Sequence, residues 1–508
     1  MKSTHLKIAL GFAFAKLLLH LLTNTHYGFH RDELLYLALG RQPDWGFWSN
    51  PPLIGFISFV NQSVFGDGLF ATRLVPALFG SALLFLICLM AHDLGGKKHA
   101  QILAGVAGFT SIAYLRSSHM FMPVIIDIFF WALASWAIIR YLKSKENKWL
   151  LWLGVILGVG FLNKYSVLFL IVAVILSFLI TKHRLVFLKK HIWIAAGISL
   201  LIVLPNLIWQ WQNDFPVINH IQELSRSQLS TVNPIHFLFD QVLMHFWGSL
   251  IWIPGLILLL IKKEHNEFRP VGWIYLFTLF LFLLMNGKHY YTLGAYPMLM
   301  AAGGVFWENY VENNWKKIAL ALFVFIGNLP LFPSGVPILK ITDSIKYFDF
   351  MSNKMGIKSL TRWERGNIEA LPQDYADMFG WKELGALTDQ ALKASGAPDQ
   401  CFVYAENYGQ AGAVARFSKH PKGRSVASFA DTYRLWAPAI ISEEINSLIY
   451  INDEIGEDVQ RFFSDIKIIG KIENQYARER GTTVYLCQFP KSSFAKSWRD
   501  RVMEVRGE

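Results

Sequence analysis

The feature that most constrains this chain is its succession of long apolar runs. Crossing a bilayer's hydrocarbon core, about 30 Å thick, takes about 17–25 mostly apolar residues in a helix. Runs of that kind fall at roughly 6–23, 69–91, 100–116, 119–141, 149–163, 165–181, 191–211, 241–261, 270–286, 291–308 and 317–336. The reading is therefore a mainly α, polytopic membrane protein with about eleven transmembrane helices. Composition agrees: 53% of residues are hydrophobic and 17% charged, and Phe and Trp are abundant, as rings at lipid interfaces are. Lys2 to Leu22 looks like a signal peptide but lacks a convincing cleavage site, so it reads as a retained first helix.

The net charge of +11 does not point to nucleic acid. Most Lys and Arg lie in short loops between apolar runs, where they set topology. Lys97–Lys98, Lys143/Lys145/Lys148, Lys182/Arg184/Lys189/Lys190, Lys262–Lys263/Arg269 and Lys316–Lys317 occupy alternate loops, which places them and the N-terminus inside. Residues from about 337 on contain no further span. They alternate helical periodicity (Asp374–Ala394) with short apolar strands at Phe402–Tyr404, Leu448–Ile451 and Thr483–Leu486, the pattern of a small α/β domain. The expected division is 1–336, transmembrane and catalytic, and 337–508, soluble and outside the cytosol. Asn407–Gly412 reads as a strand-to-helix turn whose small residues allow close approach. Cys88 falls in an apolar run. Cys401 and Cys487 either pair, if the tail is outside, or are free buried thiols.

The unusual polar residues collect in the other set of loops. The stretch Phe29-His30-Arg31-Asp32-Glu33-Leu34-Leu35-Tyr36 follows the first run and continues to Asp44-Trp45-Gly46 and Pro51-Pro52. Arg73, Arg116, His119, Asn163-Lys164-Tyr165, the 212–240 loop and Asn286-Gly287-Lys288-His289-Tyr290-Tyr291 lie on the same side. Asp32 and Glu33 are adjacent and so point differently. One is expected at a reacting centre, as a general base, while the other braces Arg31 or His30. Asp127 lies inside a span, about two turns below the outer surface, and an intramembrane acid is a candidate functional residue. Arg73, Lys164, Lys288 and His289, with hydroxyls at Tyr165, Tyr290 and Tyr291, are the groups of a phosphate site. Asp32, Glu33, His119 and His289 could join a divalent-metal site, although no ligand spacing demands one. A base and a phosphate clamp at membrane level add up to one chemistry. A sugar leaves a polyprenyl phosphate and passes to an acceptor. A transporter or flippase of a lipid-linked glycan is the alternative. It predicts polar residues on both faces or two related halves, and neither is seen.

Asp32-Glu33-Leu34-Leu35-Tyr36 with Trp45-Gly46 and Pro51-Pro52 resembles the first outer loop of the GT-C glycosyltransferases. The branch is that of the dolichyl-phosphate-mannose–protein mannosyltransferases and the bacterial lipid A aminoarabinose transferase. Ala71-Thr72-Arg73-Leu74, Asn163-Lys164-Tyr165 and Gly287-Lys288-His289-Tyr290-Tyr291 before Tyr296-Pro297 look like the same family, so the resemblance covers roughly residues 1–310. It implies inverting transfer from a polyprenyl-phosphate-linked sugar to a lipid, protein or glycan acceptor on the outer face, with Asp32 as base. Glu33 matches the motif's second acid, and Asp127 is set against an acid the family often carries in that span. The tail, with Trp363-Glu364-Arg365 and the Asn407 stretch, is similar to the extracytoplasmic domain of bacterial members, implying the plasma (inner) membrane and a periplasmic C-terminal domain.

Overall fold

The structure is a computed structural model that describes residues 2–227 and 233–506. Part of the 212–240 loop, residues 228–232, thus lies outside the described residues. In chain order the first helices are α1 (Lys2–Thr23), α2 (Arg31–Arg41), α3 (Leu53–Phe65), α4 (Leu69–Asp93), α5 (Lys98–Thr110), α6 (Ile112–Ser117), α7 (Pro123–Ser144) and α8 (Lys148–Asn163). They continue with α9 (Val167–Leu179), α10 (Lys190–Gln212), α11 (Pro216–Ser227), α12 (Pro234–Leu243), α13 (Ser249–Ile261), α14 (Arg269–Leu284), α15 (Tyr296–Tyr310) and α16 (Asn314–Asn328). The chain forms two compact units. A helical unit takes residues up to Asn24 and Pro43–Ile338, and a second unit takes Thr25–Gln42 and the chain from Leu339 on.

In the helical unit an apolar chain has no water to satisfy its backbone, so the runs close their hydrogen bonds internally as helices. α4 packs against α1, α5, α7 and α15, and α13 against α15. α15 is buried from Tyr296 to Val305. Without a hydrophobic drive between helices in lipid, close approach depends on small residues. A Cβ on Gly303 would stand 1.8 Å from the Ile251 carbonyl oxygen, and one on Gly255 2.0 Å from that of Leu299. We expect Gly303→Val to cost about 3 kcal/mol or more through overpacking. Melting of the purified protein should drop sharply, whereas Gly197→Ala, whose added methyl meets nothing within 4 Å, should melt like wild type.

Each predicted span has a helix on it, but the count of eleven is not established. Among the described residues six helices are long and apolar enough to cross a membrane, and up to eight if each sharply bent pair is one span. The expected 100–116 run breaks at Ser111, whose side chain caps Tyr114 and starts α6. α9 fills the 165–181 run and stops at Leu179, before a bend of 113° into the turn Lys182–Leu188, while the 241–261 run is broken near its start by a bend of 87° between Pro234–Leu243 and Phe246–Ile261. α15 begins only at Tyr296, because His289–Ala295 winds as a tighter 3₁₀ turn. Hydropathy sees composition, and these breaks come from local capping and packing.

The basic loops converge. Glu267, just before α14, takes ion pairs from Lys145 and Lys182, joining three of the loops assigned to the inside. Glu308 takes the backbone N–H groups of Lys97 and His99 at the N-terminus of α5.

The second unit carries a four-stranded sheet of order β1-β2-β4-β3. The strands are β1 (Cys401–Ala405), β2 (Ser447–Asn452), β3 (Phe463–Lys471) and β4 (Thr483–Pro490). β1 and β2 are parallel, and β4 runs antiparallel to both its neighbours. β3 is the strand the sequence reading did not assign. It is an edge strand whose Asp465 and Lys467 interrupt the apolar pattern and whose Ile468 is 70% exposed. The helix expected over Asp374–Ala394 divides into a short turn and a Trp381–Ala394 helix, because Gly380 adopts φ +90 between them. Cys401 and Cys487 are buried and free. β2 lies between their strands, so their backbones stand about two strand spacings, roughly 9.5 Å, apart, too far for a disulfide.

Candidate functional site

The acidic pair opens α2 in the second unit. His30 caps the helix: its Nδ1 accepts from the Asp32 N–H at 3.1 Å, and Glu33 Oε2 accepts from the His30 N–H at 2.8 Å. That is a capping box with histidine as the cap, satisfying two N–H groups that a helix start leaves unpaired. Glu33 is fully buried, so it braces the turn. The acceptor role of His30 Nδ1 puts the ring proton on Nε2, which faces Asp377 Oδ2 at 3.8 Å. Asp377 in turn accepts from Arg478 at 2.9 Å.

Asp32 points the other way, with a side chain 29% exposed. Its Oδ1 accepts from the Tyr408 hydroxyl at 2.7 Å and lies 4.0 Å from Arg31 Nε. The Arg31 guanidinium stacks over the Tyr408 ring, 4.6 Å from its centroid. Burial first, and the Asp32 charge second, hold the Tyr408 hydroxyl well above the usual phenol range. Tyr408 is thus a permanent donor that pins one carboxylate oxygen. Among the described residues no hydrogen bond goes to Oδ2. The sequence separation of 376 positions between Asp32 and Tyr408 left no signal for this contact.

What brings Tyr408 there is the Asn407 turn. Asn407 caps the Tyr408–Phe417 helix in a second capping box with Gln410. A Cβ on Gly409 would lie 3.2 Å from Arg31 Cβ and one on Gly412 2.8 Å from Leu34 Cβ, so these small residues do admit α2. Leu34, Leu35, Leu37 and Leu39 are all buried.

The helical unit brings a second set together. Asp127 is buried in α7 and accepts from Ser166 Oγ at 2.9 Å. Lys164, just past α8, lies over the rings of Tyr291 (4.9 Å) and Tyr290 (5.7 Å), and the charges bearing on it are Asp127 and Lys288. His289 Nδ1 sits 3.4 Å from Asp240 Oδ2, with Arg116 and Lys288 as neighbouring cations. So Asp127, Lys164, Lys288, His289, Tyr290 and Tyr291 form one cluster. Ser166 and Asp240 are additions to it. Ser166 follows Asn163-Lys164-Tyr165 directly, so proximity in sequence could have found it.

Arg73, expected among the cations of the phosphate site, is enclosed by protein. It is 0% exposed. One of its terminal nitrogens donates to the Asn24 carbonyl at 3.3 Å and lies 3.1 Å from His119 Nε2, while Asn24 Nδ2 donates back to the Arg73 carbonyl at 3.1 Å. Its guanidinium ties α4 to the end of α1. As for a metal, the described residues contain no group of three or more His, Cys, Asp or Glu that could hold one.

The fold is of the GT-C type, with helices long and apolar enough to cross a membrane, as its likeness to solved structures shows. The chain matches the structure of ArnT from Cupriavidus metallidurans bound to undecaprenyl phosphate over 95% of its length and 97% of that chain, with TM-score 0.62 and 14% identity. Against apo ArnT the TM-score is 0.64 at 13% identity, covering 94% and 96%. Residues 49–209 match the dolichyl-phosphate-mannose–protein mannosyltransferase family model. Lipid A galacturonosyltransferase RgtD of Rhizobium johnstonii is 26% identical over 43% of this chain, and the match spans about half, 46%, of its length. A polyprenol-phosphate-mannose–protein mannosyltransferase of Corynebacterium glutamicum is 32% identical over 19% of each chain.

Proposed function

We propose that this protein transfers a sugar from a polyprenyl-phosphate donor to an acceptor hydroxyl at the outer face of the membrane, with inversion. The observation that carries it is the setting of Asp32, a partly exposed carboxylate with one oxygen pinned by Tyr408 and the other open. The acceptor oxygen attacks the sugar's anomeric carbon as the carbon–oxygen bond to phosphate breaks, the phosphate keeps the electron pair, and Asp32 takes the hydroxyl proton. Lys164, Lys288 and His289, with the Tyr290 and Tyr291 hydroxyls, hold the lipid phosphate and stabilise its growing charge. Asp127 positions Lys164 and Ser166. The match to a structure holding undecaprenyl phosphate and to two polyprenol-dependent or lipid A transferases supports the reading. A flippase would give the base no proton to take.

The test is the purified protein in nanodiscs with synthetic polyprenyl-phosphate sugars. Release of polyprenyl phosphate, with the anomeric configuration of the product inverted by NMR, supports the proposal, and a retained configuration would sink the mechanism. Lys288→Ala should raise KM for the donor about tenfold with kcat nearly kept, if the phosphate is held equally in ground and transition states. An unchanged KM would reduce Lys288 to an interface anchor.

The same reading puts the second unit outside the cytosol. Cysteines introduced at Lys145 and at Lys382 should label from opposite sides of intact cells with a membrane-impermeant reagent. Labelling of both from one side would overturn that orientation.

A further inference from the structure

The outer 212–240 loop runs into α12 (Pro234–Leu243), to which the proposed mechanism gives no role. Its start is fixed locally. Pro234 opens the first turn, and Asn233 Oδ1 accepts from the N–H groups of Ile235 at 2.9 Å and His236 at 3.2 Å, which satisfies donors a helix start leaves unpaired. Ile235 and Phe239 lie one turn apart on a face that is exposed, while Phe237 and Gln241, also one turn apart, are buried. α12 packs against the His289–Ala295 turn, the stretch that carries three of the groups assigned to the phosphate.

Two neighbouring side chains of α12 hold that turn at its two ends. Asp240 Oδ2 stands 3.4 Å from His289 Nδ1 at the near end. Gln241 serves the far end: its Oε1 accepts from the Thr292 hydroxyl at 2.6 Å and from the Tyr296 hydroxyl at 2.6 Å. Gln241 Nε2 donates to the Phe237 carbonyl at 2.8 Å. Reversing the amide would set two acceptors against each other, so its orientation is fixed by its partners. The Tyr275 and Tyr296 hydroxyls are 3.3 Å apart, and since Tyr296 gives its proton to Gln241, Tyr275 is the donor in that pair. Thr292 has a second acceptor in reach, the His289 carbonyl at 2.8 Å, so without Gln241 its proton falls back inside the turn. Tyr290 and Tyr291 lie between the two holds, with ring centroids 5.7 and 4.9 Å from Lys164 Nζ. A 3₁₀ turn has poorer hydrogen-bond geometry than an α-helix, and side chains from outside it therefore weigh more in keeping its shape.

We propose that Gln241, with Asp240 beside it, is a positioning residue for the donor phosphate. It acts through the turn and not by touching the donor, and it keeps His289, Tyr290 and Tyr291 set beside Lys164. The inference rests on the reading of that cluster as the donor-phosphate site. It makes the outer loop, through α12, a part of donor recognition. Groups already held in place lose less freedom when the ligand arrives. Loosening the turn therefore weakens binding and leaves the chemical step nearly intact at saturating donor, if the phosphate is held equally in ground and transition states.

The experiment measures binding of polyprenyl phosphate, without sugar, to the full-length protein in nanodiscs. KM and kcat for a polyprenyl-phosphate sugar and the melting temperature are measured beside it. Gln241→Met keeps the length of the side chain and removes the acceptor. It should weaken binding of polyprenyl phosphate about tenfold, the worth of one or two neutral hydrogen bonds. KM should rise in proportion, with kcat kept within about twofold. Thr292→Val and Tyr296→Phe remove the same two hydrogen bonds from the other side. Together they should match Gln241→Met, and adding Gln241→Met to them should cost no further affinity. A merely structural glutamine would lower the melting temperature and leave the affinity of the folded protein unchanged. Wild-type affinity in Gln241→Met, or full additivity in the triple variant, overturns the inference. Should Gln241→Met yield no folded protein, the Thr292→Val/Tyr296→Phe pair decides, and wild-type affinity there overturns it. If the wild type transfers sugar while Gln241→Met binds as tightly, the inference falls and the transferase reading stands. If binding depends on Gln241 in a protein that transfers nothing from the lipid donor, the transferase reading falls and the positioning role remains. No binding by the wild type overturns both.

Discussion

Asp32→Asn is expected to slow sugar transfer about 10²–10⁴-fold, the usual worth of a positioned general base. The amide keeps the size of the carboxylate and can still accept from Tyr408, so the turn should survive. It cannot take a proton at neutral pH. Donor affinity should stay close to wild type, because the lysine cluster of the helical unit, and not Asp32, holds the phosphate in the proposed mechanism. The comparison with Glu33→Gln is informative. Glu33 is buried and spends Oε2 on the His30 N–H at 2.8 Å, so its variant should lose stability and little chemistry. Turnover at saturating donor, measured beside melting behaviour, separates the two. A well-folded Asp32→Asn protein with near-normal turnover would remove Asp32 from the mechanism and make Asp127 the leading base.

Arg73→Ala should act on folding before it acts on substrate. The wild-type side chain is wholly enclosed and hydrogen-bonded to the Asn24 carbonyl, with His119 3.1 Å away. Truncation opens a cavity and takes that donor from the Asn24 carbonyl. Leaving a buried acceptor without its donor costs about 1–3 kcal/mol and the cavity adds to that, a large part of the roughly 5–15 kcal/mol that holds a protein together. The expected result is a poor yield of monodisperse protein and a strongly lowered melting temperature, with partial recovery in Arg73→Lys. If Arg73→Ala melts like wild type and only donor binding weakens, Arg73 is a phosphate ligand after all, and the enclosed geometry opens when donor arrives.

Much of the architecture was legible. Apolar runs specify helices wherever water is excluded, and each expected run carries one. What could not be read was their continuity, because the break at Ser111 and the bend after α12 depend on a single cap or on packing. Three of the four strands announced themselves as buried apolar runs. β3 did not, since an edge strand exposes one side and carries charges there. The lysine cluster was foreseen as a set because Lys164, Lys288, His289 and the tyrosines fall in loops on one face. Arg73 was foreseen in the same set and lies enclosed beside Asn24 and His119. An arginine at the lip of a span can reach outward or be enclosed, and only the packing of α1 and α4 decides which.

By itself, then, the sequence determined a membrane-embedded helical chain, an acidic pair just after the first apolar run and a tail of strands and helices. These follow from hydropathy and periodicity, which are local. The tertiary structure alone decided where the acidic helix belongs. α2 follows α1 closely in the chain, yet it packs in the second unit, against the Tyr408–Phe417 helix. Its four leucines could have sought either partner. The choice falls to Gly409 and Gly412, whose missing side chains let the two helices meet, and that meeting sets the Tyr408 hydroxyl on Asp32. Nothing within hydrogen-bonding reach along the chain encodes a contact between residues so far apart. It exists because burying the apolar face of α2 against that helix gains more than leaving it in water.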